Sequence, residues 1–223
     1  VYGGPGSQNV LNSWGGSRDF WHQHLAAEGY LVASIDNRGT GARGRDFKHA
    51  TYANLGKLET IDQIEGAKHL AKMPFVDSSR IGIWGWSYGG YMALNLVMRA
   101  PGVFAAAVSG APVTDWSLYD TAYTERYMGL PQENLEDFVN GSPMTYAKNL
   151  EGNLLYIHGT GDDNVHYQNA EILINELVKY NKQFQFMAYP NRTHGIREGE
   201  GTTQHLRTLY TNFLKTYCPP GGK

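Results

Sequence analysis

Gly85-Trp86-Ser87-Tyr88-Gly89 sets a serine between two glycines, directly after the apolar run Ile81-Gly82-Ile83-Trp84 and at the head of a helical-period segment from Tyr88 to Arg99. A serine on a sharp strand-to-helix turn holds its hydroxyl outward, where a base can reach it. Small neighbours let strand and helix approach without Cβ clashes. The helix N-terminus adds a positive dipole end and free N–H groups beside the place where an oxyanion would develop. A glycine-rich turn could instead cradle phosphate, but the sequence has no G-x-x-x-x-G-K-[ST] to support that reading.

A nucleophilic serine needs a base to take its proton and an acid to hold the base. With this type of elbow they are expected in the order Ser, acid, His, on loops after later strands. Asp162 follows the apolar run Leu155-Tyr156-Ile157-His158, with Asp163 as the competing candidate. His194 follows Phe184-Gln185-Phe186-Met187-Ala188-Tyr189-Pro190, and of the eight histidines it alone lies between the last apolar run and a final helix. His158 reads as a packed strand residue, and His166 and His205 as helix-start or helix-face residues. Cys218, beside Pro219-Pro220, reads as a surface or partly packed cysteine with no catalytic thiol chemistry. No histidine and acid cluster has zinc spacing, so neither a metal nor an organic cofactor is expected.

The elements that must position these groups follow from periodicity. Strands are expected at Tyr30 to Ile35, Arg80 to Trp84, Ala105 to Ser109, Leu154 to His158 and Phe184 to Tyr189. They alternate with helices at Phe20 to Glu28, Glu59 to Met73, Tyr88 to Arg99, Tyr167 to Tyr180 and Thr203 to Tyr217. That alternation predicts an α/β protein: an α/β-hydrolase fold with a mostly parallel sheet and helices on both faces. The aromatic segment from Val113 to Asn149 breaks the pattern and reads as an insertion over the carboxyl ends of the strands, where open α/β sheets bind ligands.

Composition narrows the classes. With 223 residues, 41% apolar, 18% charged and a net charge of −2, the chain fits one globular domain. Neither a nucleic-acid surface nor a disordered tail is indicated. No apolar run approaches the roughly 18 to 20 residues that span a bilayer. The sequence opens on Val1 at what reads as the end of a strand, and a longer parent protein is expected.

The motifs together resemble the prolyl oligopeptidase family of serine peptidases, most closely its dipeptidyl-peptidase branch. The likeness runs essentially end to end. It is carried by Asp36-Asn37-Arg38-Gly39, Trp84-Gly85-Trp86-Ser87-Tyr88-Gly89-Gly90-Tyr91, the run Tyr123 to Pro131, His158-Gly159-Thr160-Gly161-Asp162-Asp163-Asn164-Val165-His166 and His194-Gly195-Ile196. The resemblance implies that Asp162 is the acid, that Ser87 and His194 complete the triad, and that the Tyr2 hydroxyl and the Tyr88 backbone N–H receive the oxyanion. It also implies that Tyr88, Val113, Trp116, Tyr119, Tyr123 and Val165 surround a flat apolar pocket for the residue before the scissile bond, with Asn164 near the preceding carbonyl. Such a pocket suits proline, whose rigid ring aromatic walls can bury.

Peptides with proline or alanine in the penultimate position are the implied partners, cleaved to dipeptides through an acyl-enzyme. A prolyl tripeptidyl peptidase, an acyl-aminoacyl peptidase or an esterase on the same scaffold is the alternative. A catalytically silent binding subunit is a more distant one, because such relatives lose a triad member. The family further implies an N-terminal β-propeller carrying a glutamate pair for the substrate amine, of which residues 1–223 show nothing. It also implies a homodimer of the full-length protein and a periplasmic, extracytoplasmic or membrane-anchored location. Eukaryotic relatives pair a cysteine near the terminal helix with one in the region Ala105 to Val108, and Cys218 lacks that partner.

Overall fold

Four apolar runs, each too short for a helix, pair side by side in the computed structural model, which describes residues 1–221. They are β1 (Gly82–Trp86), β2 (Ala106–Gly110), β3 (Asn153–Gly159) and β4 (Gln185–Tyr189), parallel throughout and ordered β1-β2-β3-β4. Each forms within two residues of its expected place. In chain order the α-helices are α1 (Phe20–Ala27), α2 (Arg45–His49), α3 (Leu58–Ala71), α4 (Tyr88–Arg99), α5 (Thr121–Met128), α6 (Leu135–Gly141), α7 (Gln168–Lys179) and α8 (Thr202–Tyr217).

Alternate strand residues face opposite sides of a sheet. Ala106, Val108, Leu155 and Ile157 pack with Trp21 and Leu25 of α1 and with Leu206, Tyr210, Phe213 and Leu214 of α8. Ala107, Leu154 and Tyr156 pack on the other face with Leu94, Val97 and Met98 of α4 and Leu173 and Leu177 of α7. Burial on both faces explains why β2 and β3 read as continuous apolar runs instead of alternating ones.

The segment Tyr30 to Ile35 forms no strand. A cavity of about 560 Å³, lined among others by Val1, Leu31, Val32, Ile83 and Trp84, lies between it and the free edge of β1. Without a ladder partner within reach, β-branched composition alone does not make a strand. The Val1 amine instead reaches that edge, donating to the Trp84 carbonyl at 2.8 Å. The expectation for Cys218 also fails: it is buried at 2% exposure in the core between α8 and the sheet, because it continues the apolar face of Leu206, Tyr210 and Leu214.

The insertion after β2 is ordered by local caps. Asp120 accepts the Tyr123 N–H at 2.8 Å to start α5, and Gly129, at φ 71°, ends it. Trp116, Met128 and Phe138 then close over Leu55, Tyr91 and Met92 to form a third cluster. The segment carrying Tyr2 is held by Asn37, whose buried amide donates to the Gly3 carbonyl at 3.0 Å. Asn37 is fixed in turn by Gln63 of α3 at 3.0 Å.

Ile157 has no exposed surface at the centre of the sheet. Ile157→Ala is expected to cost about 2–5 kcal/mol of stability. A urea titration should show a lower midpoint with an unchanged slope.

Candidate active site

Ser87 sits between β1 and α4 with φ 57° and ψ −117°, in the left-handed half of conformational space that a serine rarely occupies. Its N–H donates to the Gly110 carbonyl at the end of β2 at 2.8 Å, and its carbonyl accepts from Tyr91 at 2.9 Å, the first hydrogen bond of the helix. The strand and helix meet so closely that a Cβ on Gly85 would lie 2.1 Å from the Gly89 oxygen, and the N-terminal segment crosses the helix so closely that one on Gly89 would lie 2.2 Å from the Val1 oxygen. This is the reason for glycine at both ends of the pentapeptide, and it holds the hydroxyl at the carboxyl edge of the sheet.

Asp162 follows β3 and His194 follows β4, so neighbouring parallel strands deliver both to the same edge. The His194 Nδ1–H donates to Asp162 Oδ2 at 2.9 Å. The other carboxylate oxygen accepts the backbone N–H groups of Asn164 and Val165 at 3.0 and 2.9 Å. Burial works to raise this carboxyl. Hydrogen bonds from His158 and His194, the charge of His194 and the Asn164 N–H outweigh it, and the group lies well below the ordinary carboxylate range. Asp163, the competitor, is exposed and makes none of these bonds.

Two supporting residues were not singled out from the sequence as part of this assembly. His158, completely buried, has Nε2 at 2.8 Å from the Val165 carbonyl and 3.3 Å from Asp162 Oδ2. Both neighbours are acceptors, so Nε2 bears the proton, and the ring braces the carboxylate from the strand. Its i,i+4 spacing to Asp162 was the available signal. Trp86, next to Ser87, donates its indole N–H to the His194 carbonyl at 2.9 Å and so joins the elbow directly to the histidine loop. Nothing in its sequence context marked that bond.

The aromatic residues expected to surround a pocket converge beside the elbow. Trp116 stacks with Tyr123 at 6.0 Å and 16°, meets Tyr119 edge-on at 6.1 Å, and touches Tyr88 at 5.7 Å. Val113 and Val165 join the same cluster. Tyr88, Val113, Trp116 and Val165 are themselves buried and back the wall, while Tyr2, Tyr119 and Tyr123 keep accessible surface. The Tyr119 hydroxyl donates to Asn164 Oδ1 at 2.7 Å, tying the insertion to the loop that bears Asp162. The Tyr2 ring lies 6.0 Å from that of Tyr88. Burial, with Tyr127 adding to it, raises the Tyr2 phenol, so it keeps its proton and can donate. Among the described residues no group of three or more His, Cys, Asp or Glu side chains is placed to hold a metal ion.

A model of the prolyl oligopeptidase family matches residues 17–219. Dipeptidyl peptidase 4 of Felis catus is 44% identical over 219 residues, 96% of this chain and 28% of that protein. Prolyl endopeptidase FAP of Mus musculus is 42% identical over 221 residues, again 96% of this chain and 28% of that protein. The crystal structure of Porphyromonas gingivalis dipeptidyl peptidase 4 superposes with a TM-score of 0.93 at 44% identity, covering 97% of this chain and 30% of that one. The chain therefore spans less than a third of the length of these relatives.

The lowered Asp162 carboxyl carries a pH signature. A carboxyl held below its ordinary value of 3.8 stabilises the fold above that pH, and the contribution is lost as pH falls through 3.8 toward the lowered value. Asp162→Asn lacks it. The gap between the urea midpoints of wild type and D162N should be widest near neutrality and narrow below pH 3.8.

Proposed function

The chain belongs to the prolyl oligopeptidase family, and from that premise we propose that it is the catalytic part of a serine exopeptidase that releases dipeptides ending in proline, and more slowly alanine, from peptide N-termini. Its sheet, helices and elbow make up an α/β-hydrolase fold. The observation that carries the reading is the Asp162–His194 hydrogen bond, linked through Trp86 to a strained serine at the foot of an aromatic wall.

The chemistry assigned to these residues proceeds in two halves. Ser87 Oγ attacks the carbonyl carbon of the penultimate residue as its proton passes to His194 Nε2, the nitrogen that Asp162 leaves available. Asp162 keeps the ring in the required tautomer and stabilises the imidazolium. The carbonyl oxygen becomes an oxyanion, received by the Tyr88 backbone N–H and the Tyr2 hydroxyl; one such donor is worth about 100- to 1,000-fold in rate. Collapse breaks the C–N bond, and the leaving amine takes the proton from His194. Water then repeats the sequence against the Ser87 ester, returns the proton to Oγ and frees the dipeptide.

Selectivity is assigned to the wall formed by Tyr88, Val113, Trp116, Tyr119, Tyr123 and Val165. Aromatic faces bury a pyrrolidine ring without having to satisfy an N–H it lacks, and a larger side chain would clash with the wall. Asn164, whose Oδ1 accepts the Tyr119 hydroxyl, is assigned to the preceding carbonyl. We assign residues 1–223 to one catalytic domain and expect the substrate amine to be anchored by a separate propeller domain of a longer, homodimeric protein.

A fluorophosphonate should label the wild-type chain at Ser87 and leave Ser87→Ala unlabelled. In the parent protein, Gly-Pro-4-nitroanilide should be cleaved well ahead of acetyl-Ala-4-nitroanilide. The reverse preference would favour an acyl-aminoacyl peptidase, and no labelling would sink the serine mechanism.

A further inference from the structure

Glu59 lies on the first turn of α3 with no exposed surface, behind the elbow and away from the triad. Its Oε2 accepts the Gly56 N–H at 3.0 Å, and its Oε1 accepts the Tyr88 hydroxyl at 2.8 Å. Two guanidinium groups on neighbouring segments are committed elsewhere: Arg38 to Asp62, and Arg99 to the Gly56 carbonyl at 2.8 Å. A buried carboxyl without a cation is a poor stabilising device, and an apolar side chain of similar size would serve the core better. Burial accordingly pushes it up to about 7, against the hydrogen bonds it accepts from its own N–H, from Gly56 and from Tyr88.

Tyr88 is the residue it reaches, and Tyr88 stands at a junction. Its N–H is the first after the nucleophile. Its ring is held between Tyr91 at 5.1 Å, Trp116 at 5.7 Å and Tyr2 at 6.0 Å. The hydroxyl is the only polar handle on a ring that is 3% exposed, and Glu59 holds it. The carboxyl thus pins the far end of a side chain whose near end is the oxyanion donor and whose face backs the pocket.

We infer that Glu59 is a positioning residue for the elbow, acting through the Tyr88 hydroxyl to fix both the oxyanion-binding N–H and the wall that receives the proline ring. This rests on the serine-peptidase reading above. Neither end of the Glu59–Tyr88 bond contains a reacting atom. Its loss should therefore slow acylation of Ser87 while leaving the Asp162–His194 pair intact.

The test is a double-mutant cycle on the rate of fluorophosphonate labelling, with the melting temperature of each variant recorded. Glu59→Leu and Tyr88→Phe should each slow labelling by about ten- to a hundredfold, in line with partial loss of an oxyanion donor. The double variant should be no slower than the slower single one, because both remove the same bond. Glu59→Gln, which keeps an oxygen for the Gly56 N–H and an amide N–H for the Tyr88 oxygen, should recover most of the wild-type rate. Losses that multiply in the double variant would overturn the inference. So would a Tyr88→Phe variant that labels at the wild-type rate, even if Glu59→Leu fails to fold. A wild-type chain that does not label at all would sink the serine-peptidase reading, and this inference with it.

Discussion

A serine forced into left-handed backbone geometry is the constraint from which the rest of the site is built. Such a conformation costs on the order of 1–3 kcal/mol and persists only where its surroundings over-determine it. Here the Ser87 N–H is spent on Gly110 and its carbonyl on Tyr91, so the residue is fastened to β2 on one side and to α4 on the other. Relaxing the turn would break a link between strands and the first hydrogen bond of a helix that is buried along almost its whole length. The sheet therefore bears the strain, and the glycines at 85 and 89 remove the clashes that would make it unbearable.

Around that turn two buried carboxyls are driven in opposite directions by their surroundings. Asp162 gathers two backbone N–H groups and two imidazoles and stays ionised, which suits a group that must hold and then stabilise a cationic ring. Glu59 is given its own N–H, the Gly56 N–H and one hydroxyl, with no ion pair among the described residues, and its charge is disfavoured. The contrast follows the rule that environment, and not residue type, assigns carboxyls their parts. It also separates roles in space: the ionised group faces the histidine loop, while the neutral-leaning one lies behind the wall.

Much of this was legible in the sequence because it depends on short-range pattern. The pentapeptide, the strand before it and the helix after it are contiguous, and the order Ser87, Asp162, His194 follows from parallel strands ending at a common edge. What escaped was set by partners far along the chain. Tyr30 to Ile35 has the composition of a strand but faces a cavity instead of a ladder. Glu59 looks like an ordinary first-turn acid of a helix until α4 brings Tyr88 over it. Cys218 continues the four-residue spacing of Leu206, Tyr210 and Leu214, but the two prolines beside it suggested a surface end of the chain and hid that continuation. Trp86 could be placed in the motif, but its bond to His194 spans 108 residues and has no local signature.

That buried cysteine has a practical consequence. Its thiol is packed against Gly82 at the root of β1, is raised by burial to about 11, and sits in the wall of the cavity beside that strand. Low exposure and a raised thiol both slow alkylation, so the rate at which an iodoacetamide probe reacts becomes a clock for opening at the seam between the cavity, β1 and the end of α8. With a single thiol in the sequence the signal has one origin, and the protein carries its own reporter for the seam where its last helix meets the edge of the sheet.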